Sequence, residues 1–203
     1  VVFGTGERPA VFLVIVLTLI YTFEGGMKAV IWTDVVQLAI YFAGSVAAFL
    51  LLLHRIPGGW AEVTQVAAAA GGKLSVFHFA FGWSEKYTFW SGLLGGSVLT
   101  MASHGTDQTI VQRLLAARSE RESKAALLAS GAIILAQFTL FLLLGVMLYV
   151  YHQHTPLLAA GEKTDRVFPT FVVREMPPGL AGLVIAAILA VAMSNASGSL
   201  NSL

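Results

Sequence analysis

Oxygen-bearing side chains are scarce in the apolar parts of this sequence, and where they occur they cluster. The largest cluster closes the chain, in Ala186-Ala187-Ile188-Leu189-Ala190-Val191-Ala192-Met193-Ser194-Asn195-Ala196-Ser197-Gly198-Ser199-Leu200-Asn201-Ser202. On a helix, side chains three and four positions apart share a face. That spacing puts Ala187, Ala190, Val191, Ser194, Ser197, Gly198 and Asn201 on one stripe of small or oxygen-bearing residues. Hydroxyl oxygens beside a nearby carbonyl can replace the water shell of a small hard cation. The same stripe can also serve only for close helix packing, its hydroxyls bonding back to their own carbonyls.

Two further places could carry chemistry. Thr33 and Asp34 open an apolar stretch. Their oxygens can cap a helix N-terminus, and a carboxylate there can also line a cation's path. Ser103-His104-Gly105-Thr106-Asp107-Gln108 interrupts another apolar stretch. Gly105 is the expected break, with Thr106 or Asp107 capping the half-helix that continues to Arg113. Interrupted helices expose backbone groups at membrane depth, which is how many transporters build a site. The alternative is a kinked helix with Asp107 satisfied locally. His104 has no second histidine or carboxylate at metal-ligand spacing. The sequence contains no nucleophile–base pairing, phosphate-cradling glycine loop or zinc motif, so it is not read as an enzyme.

These groups need helices in a bilayer to position them. Hydrophobic residues make up 57% and charged residues 11%, with a mean hydropathy of +0.78. Soluble domains carry about 25% charged residues, so the chain is an all-α, polytopic membrane helix bundle. A net charge of +1 gives no nucleic-acid patch, and the absence of cysteine excludes disulfides and thiolate metal sites. Five stretches approach the roughly 20 apolar residues a crossing needs, at about 9–23, 34–53, 87–112, 124–151 and 179–203. All belong to one transmembrane domain over 1–203, read as an internal fragment of a longer polytopic protein. Glu24-Gly25-Gly26 is expected to end the first span, and a tight link with Lys28 and Trp32 to follow it. Tyr21, Phe23 and Trp32 fit an interfacial aromatic belt. Arg113, Arg118, Arg121 and Lys124 crowd the link after the third span, which places that end, and the Lys28 link, on the cytoplasmic side.

Four separated motifs then coincide. Tyr21-Thr22-x-x-Gly25-Gly26-Met27-Lys28-Ala29-Val30-Ile31-Trp32-Thr33-Asp34-x-x-Gln37 resembles the signature around the fourth and fifth core helices of sodium:solute symporters. Gly105-Thr106-Asp107-Gln108-x-x-Val111-Gln112-Arg113-x-x-x-Ala117 resembles that family's motif at the inner end of the sixth. Asp165-x-x-Phe168-Pro169, with Pro178-Gly179-Leu180-x-Gly182-Leu183, is similar to its loop before the eighth, and Met193-Ser194-Asn195-x-x-x-x-Leu200-Asn201-Ser202 to the eighth itself.

The resemblance implies a LeuT-type inverted-repeat fold holding core helices four to eight, and sodium-coupled symport of a small solute across the plasma membrane. It implies Na+ as the coupling ion, with the lipid bilayer and the remainder of the same transporter chain as partners. Carried over, the hydroxyl ligand of the family's sodium site falls on Ser194, the next ligand on Asn195 and the backbone carbonyl ligand on Val191, with Ser197 one turn on as a substitute. Asn195 stands where many relatives have Ser or Thr; its amide oxygen can still coordinate. Asp34 matches the aspartate near the inner cation exit, and the solute-facing positions map near Thr100, Ser103 and His104. No aromatic gate of the kind found in sugar-transporting relatives is present there. A symporter-like membrane module of a signalling protein would look the same over these residues.

Overall fold

The computed structural model describes residues 7–82, 85, 87–159 and 161–201, and all regular structure among them is helical. The side chains of Glu24, Lys28 and Asn201 lie outside what is described, as do those of Tyr21 and Phe23.

The first helix, α1, runs from Glu7 to Arg55, 49 residues. The sequence predicts two helices and a tight link here, but the backbone stays helical through Gly25-Gly26. Glycine in a helix interior costs about 1 kcal/mol and does not by itself end the helix. Met27, Lys28 and Ala29 are good helix formers, and no proline falls between Pro9 and Pro57. At 1.5 Å per residue α1 is about 74 Å long, more than twice the hydrocarbon thickness. It accordingly contains two apolar segments, Val11–Ile20 and Ile31–Arg55.

After a turn at Pro57-Gly58, α2 covers Gly59–Ala69. A segment with no helix or strand among its described residues leads to α3, Phe89–Thr106, which opens on a reciprocal cap between Thr88 and Ser91. The short α4, Gln108–Leu115, is followed by α5, Glu120–His154. Ser119 caps α5 by accepting the N–H of Glu122, with Glu120 and Glu122 in the first turn and His152 and His154 in the last, the charge order a helix dipole favours. A single 3-10 turn at Thr164–Arg166 precedes α6, Val167–Glu175. The last helix, α7, is Pro178–Asn201; proline at its first position forfeits no helical hydrogen bond. Among the described residues three helical segments are long and apolar enough to cross a membrane, Ile31–Arg55, Glu120–His154 and Pro178–Ser199.

The core is concentrated at one end of the bundle. Ala48 and Leu52 of α1, Val63 of α2, Met147 and Val150 of α5, Phe171 and Val172 of α6, and Ala181 and Val184 of α7 are all buried together. Phe171 meets Tyr151 edge to face at 5.7 Å. α1 and α7 approach closely at Gly44, where an added Cβ would stand 2.5 Å from Val184 Cγ2. α3 differs: it packs chiefly against α4, and none of its residues is buried.

Candidate cation and solute sites

The oxygen-bearing stripe of α7 faces α1. Ala187 is 2% exposed, Ser194 7% and Ser197 0%, and Gly198 is buried beside them. Packing alone would have Ser194 bond back to its own helix, as Thr18 does to Val14 and Ser45 to Tyr41, each at 2.7 Å. Instead the Ser194 hydroxyl donates to Oδ1 of Asp34 on α1. The second carboxylate oxygen, Oδ2, pairs with Nη2 of Arg113 on α4 at 3.1 Å. Three helices far apart in sequence thus converge on one carboxylate. Its side chain is 24% exposed and that of Arg113 38%, so the cluster is largely, though not wholly, withdrawn from the surface.

The local sequence explains the arrangement. Asp34 sits mid-helix in α1, so it caps no N-terminus and its oxygens are available to neighbouring helices. Arg113 arrives because α3 stops. Asp107 adopts φ −72°, ψ 111°, outside the helical region, while its N–H still reaches Ser103 O at 3.1 Å. Its carbonyl then accepts from Ile110 and Val111, at 3.1 and 2.9 Å, to start α4. The break expected at Gly105 therefore falls two residues later. Gly105 is helical and exposed, with open space around its Cα. An aspartate at the junction of two helices has a ready structural use, since its preference for extended, capping geometry ends one and begins the other.

The remaining candidates divide. Val191 lines a cavity of about 470 Å³ with Tyr41, Gln137, Phe141 and Leu144, between α1, α5 and α7. In its wall the Tyr41 hydroxyl donates to Gln137 Oε1 at 3.0 Å. Asn195 is exposed, off the face that meets α1. Thr100, Ser103 and His104 form a local group on α3: Ser103 Oγ donates to Thr100 O, and His104 Nδ1 lies 3.1 Å from both Thr100 O and Ser103 Oγ. This group is not brought against Asp34 or Ser194. Among the described residues no three His, Cys, Asp or Glu side chains gather as a metal cage. Oxygens such as the Ser194 hydroxyl and the Asp34 carboxylate beside it are the donor type that hard cations prefer.

Sequence reasoning placed Arg113 in a family motif and in the basic run that sets sidedness, but missed it as the partner of Asp34. The available signal was Asp34 itself: an acid beside an apolar span normally has a partner, and Arg113 heads the basic run assigned to the same side.

Comparison with known proteins agrees with this architecture. A family model described as "Sodium:solute symporter family" matches residues 1–203. The chain is 35% identical over 201 residues to the sodium/sialic acid symporter SiaT of Proteus mirabilis (strain HI4320), covering 98% of this chain and 40% of that protein. It is 32% identical over 196 residues to the human sodium/iodide cotransporter, covering 90% of this chain and 29% of the relative. A solved structure of a substrate-bound, outward-open Na+-coupled sialic acid symporter superimposes with a TM-score of 0.86 at 33% identity, over 98% of this chain and 42% of that one. The chain thus spans about two fifths of the length of its bacterial relative. With a family model over its whole length and a fold shared at that level, the chain belongs to the sodium:solute symporter family.

Proposed function

We propose that this chain is the cation-binding portion of a sodium-coupled symporter that moves a small solute across the plasma membrane by alternating access. The observation that carries the reading is the convergence of Ser194 and Arg113 on Asp34. Sodium is held by uncharged oxygens, the hydroxyls of Ser194 and Ser197 and the carbonyl of Val191, while Asn195, exposed off that face, takes no part. Asp34 lies beside that set and receives the ion on its way to the cytoplasm. A carboxylate next to the site, rather than a second one within it, draws the cation inward without trapping it. Arg113 neutralises Asp34 when no cation is near, which keeps a lone charge from being stranded at the edge of an apolar bundle.

The solute contacts α3 near Thr100, Ser103 and His104, with Asp107 at the joint that lets α3 and α4 move separately and Gly105 in the last turn of α3 before it. The relatives named above carry sialic acid and iodide, both anions near neutral pH, so a small anion is the first solute class to try. The test is sodium-dependent uptake by the full-length transporter in proteoliposomes. Removing the Ser194 hydroxyl (Ser194→Ala) is expected to raise half-saturating sodium roughly fivefold or more, the effect of losing one polar contact in a buried site. Unchanged sodium dependence would remove Ser194 from the site.

A further inference from the structure

The last turn of α5 ends about 30 Å along α1 from Asp34, where α1 and α6 also finish and α2 docks. Its two histidines take no part in the reading above. His154 Nε2 stands 3.4 Å from Glu62 Oε1 of α2, with side-chain exposures of 37% and 29%. His152 Nδ1, two residues earlier, accepts the N–H of Leu157 at 3.0 Å. The carbonyl of Leu157 accepts in turn from Arg174 Nη1 of α6 at 3.3 Å, and Leu157 itself is buried in the core.

These two contacts answer a proton with opposite signs. An imidazole beside a carboxylate is attracted to it as an ion only once protonated. An imidazole nitrogen that accepts an N–H must keep its lone pair, and protonation occupies it. Histidine is the side chain whose charge changes near neutrality. We propose that the last turn of α5 is a proton-sensitive joint: acidification draws α2 onto α5 through His154 and Glu62, and frees the 155–157 turn from His152.

The charged groups at this end leave the pairing simple. Arg55 of α1 holds Glu175 of α6 at 3.4 Å, and Lys73 lies 4.6 Å over the Tyr149 ring of α5. His54 of α1 is exposed beside Arg55, and Arg174 is engaged on Leu157. In the loop that follows, Glu162 accepts the N–H of Ala159 at 3.2 Å, so among the described residues Glu62 is the carboxylate in contact with His154 and none is in contact with His152. Because α2 and the turn pack on the same core as the first half of α7, the joint sits on the scaffold that carries the Ser194 helix.

The proposal does not depend on which solute is carried. Amide hydrogen exchange of the protein in lipid nanodiscs, corrected for intrinsic rate, reads both halves of the joint between about pH 8 and about pH 5.5, a window in which histidines titrate and carboxylates stay charged. Protection of 59–69 is expected to rise roughly two- to fivefold on acidification, the scale of a half-exposed ion pair, while protection of 155–159 falls. His154→Lys, charged throughout, is expected to hold α2 protected at both pH values. His152→Gln, whose amide oxygen accepts without titrating, is expected to make 155–159 indifferent to pH. The proposal is overturned if both segments respond in the same direction, if neither responds, or if α2 in His154→Lys still follows pH.

Discussion

Asp34 divides its two oxygens between unlike partners, a neutral hydroxyl and a guanidinium, and that division makes a specific prediction. On the proposed function, a cation approaching Ser194 would meet a carboxylate already compensated by Arg113, so the ion and the arginine would compete for the same charge. Neutralising the competitor with Arg113→Gln is expected to lower half-saturating sodium about threefold, the scale of a partly exposed ion pair. Turnover is expected to slow, because the ion then leaves a more negative exit. Sodium titration of initial uptake rates separates the two effects, and an increase in half-saturating sodium would show that Arg113 supports the site instead of competing for it. The role of Ser194 as an oxygen facing inward was legible from its place on a small-residue stripe. That its hydroxyl goes to Asp34 was not, because 160 residues separate the pair and no periodicity reports on which helices meet.

At the scale of elements, the packing of α7 was more legible than the course of α1. Small residues at helical spacing announced a packing face on α7, and Ala187, Ser194, Ser197 and Gly198 of that stripe are buried; the close contact of Gly44 with Val184 lies outside the stripe. A methyl group at Gly44 cannot be accommodated by a simple rotation, since its nearest neighbour is a β-branched side chain buried in the core. Gly44→Ala is expected to destabilise the bundle by about 1–3 kcal/mol, the range for overpacking, seen as a lower unfolding midpoint in detergent. Val184→Ala in the same chain is expected to restore part of the loss; no recovery would place the strain elsewhere. The continuous α1 was not legible because Glu24-Gly25-Gly26 carries turn-forming glycines, whereas helix persistence depends on the formers that follow and on the packing of Ile31–Arg55. The joint between α3 and α4 was legible to within two residues. Glycine permits a break, but aspartate, which caps, is where this one falls.

Over the whole molecule, the packed core, the Asp34 cluster and the solute candidates occupy different places. The core binds α1, α2, α5, α6 and α7 at one end. Asp34 and its partners lie farther along α1, and Thr100, Ser103 and His104 ride on a helix with no buried residue. A coupled transporter must nevertheless make solute and ion binding interdependent, and linkage requires each ligand to shift the other's affinity equally. The path between the two groups is short: along the chain from His104 through the Asp107 junction to Arg113, and across the ion pair to Asp34. If that path carries coupling, substitutions on α3 should divide by type. Thr100→Val removes a hydroxyl without touching the joint, and is expected to raise the solute KM while leaving sodium dependence at low solute unchanged. Asp107→Ala removes the capping residue and is expected to weaken the interdependence itself, so that saturating solute no longer lowers half-saturating sodium. Measuring sodium dependence at low and at saturating solute in both variants distinguishes a contact from a coupling element. Identical behaviour of the two would mean that α3 communicates with the ion by another route.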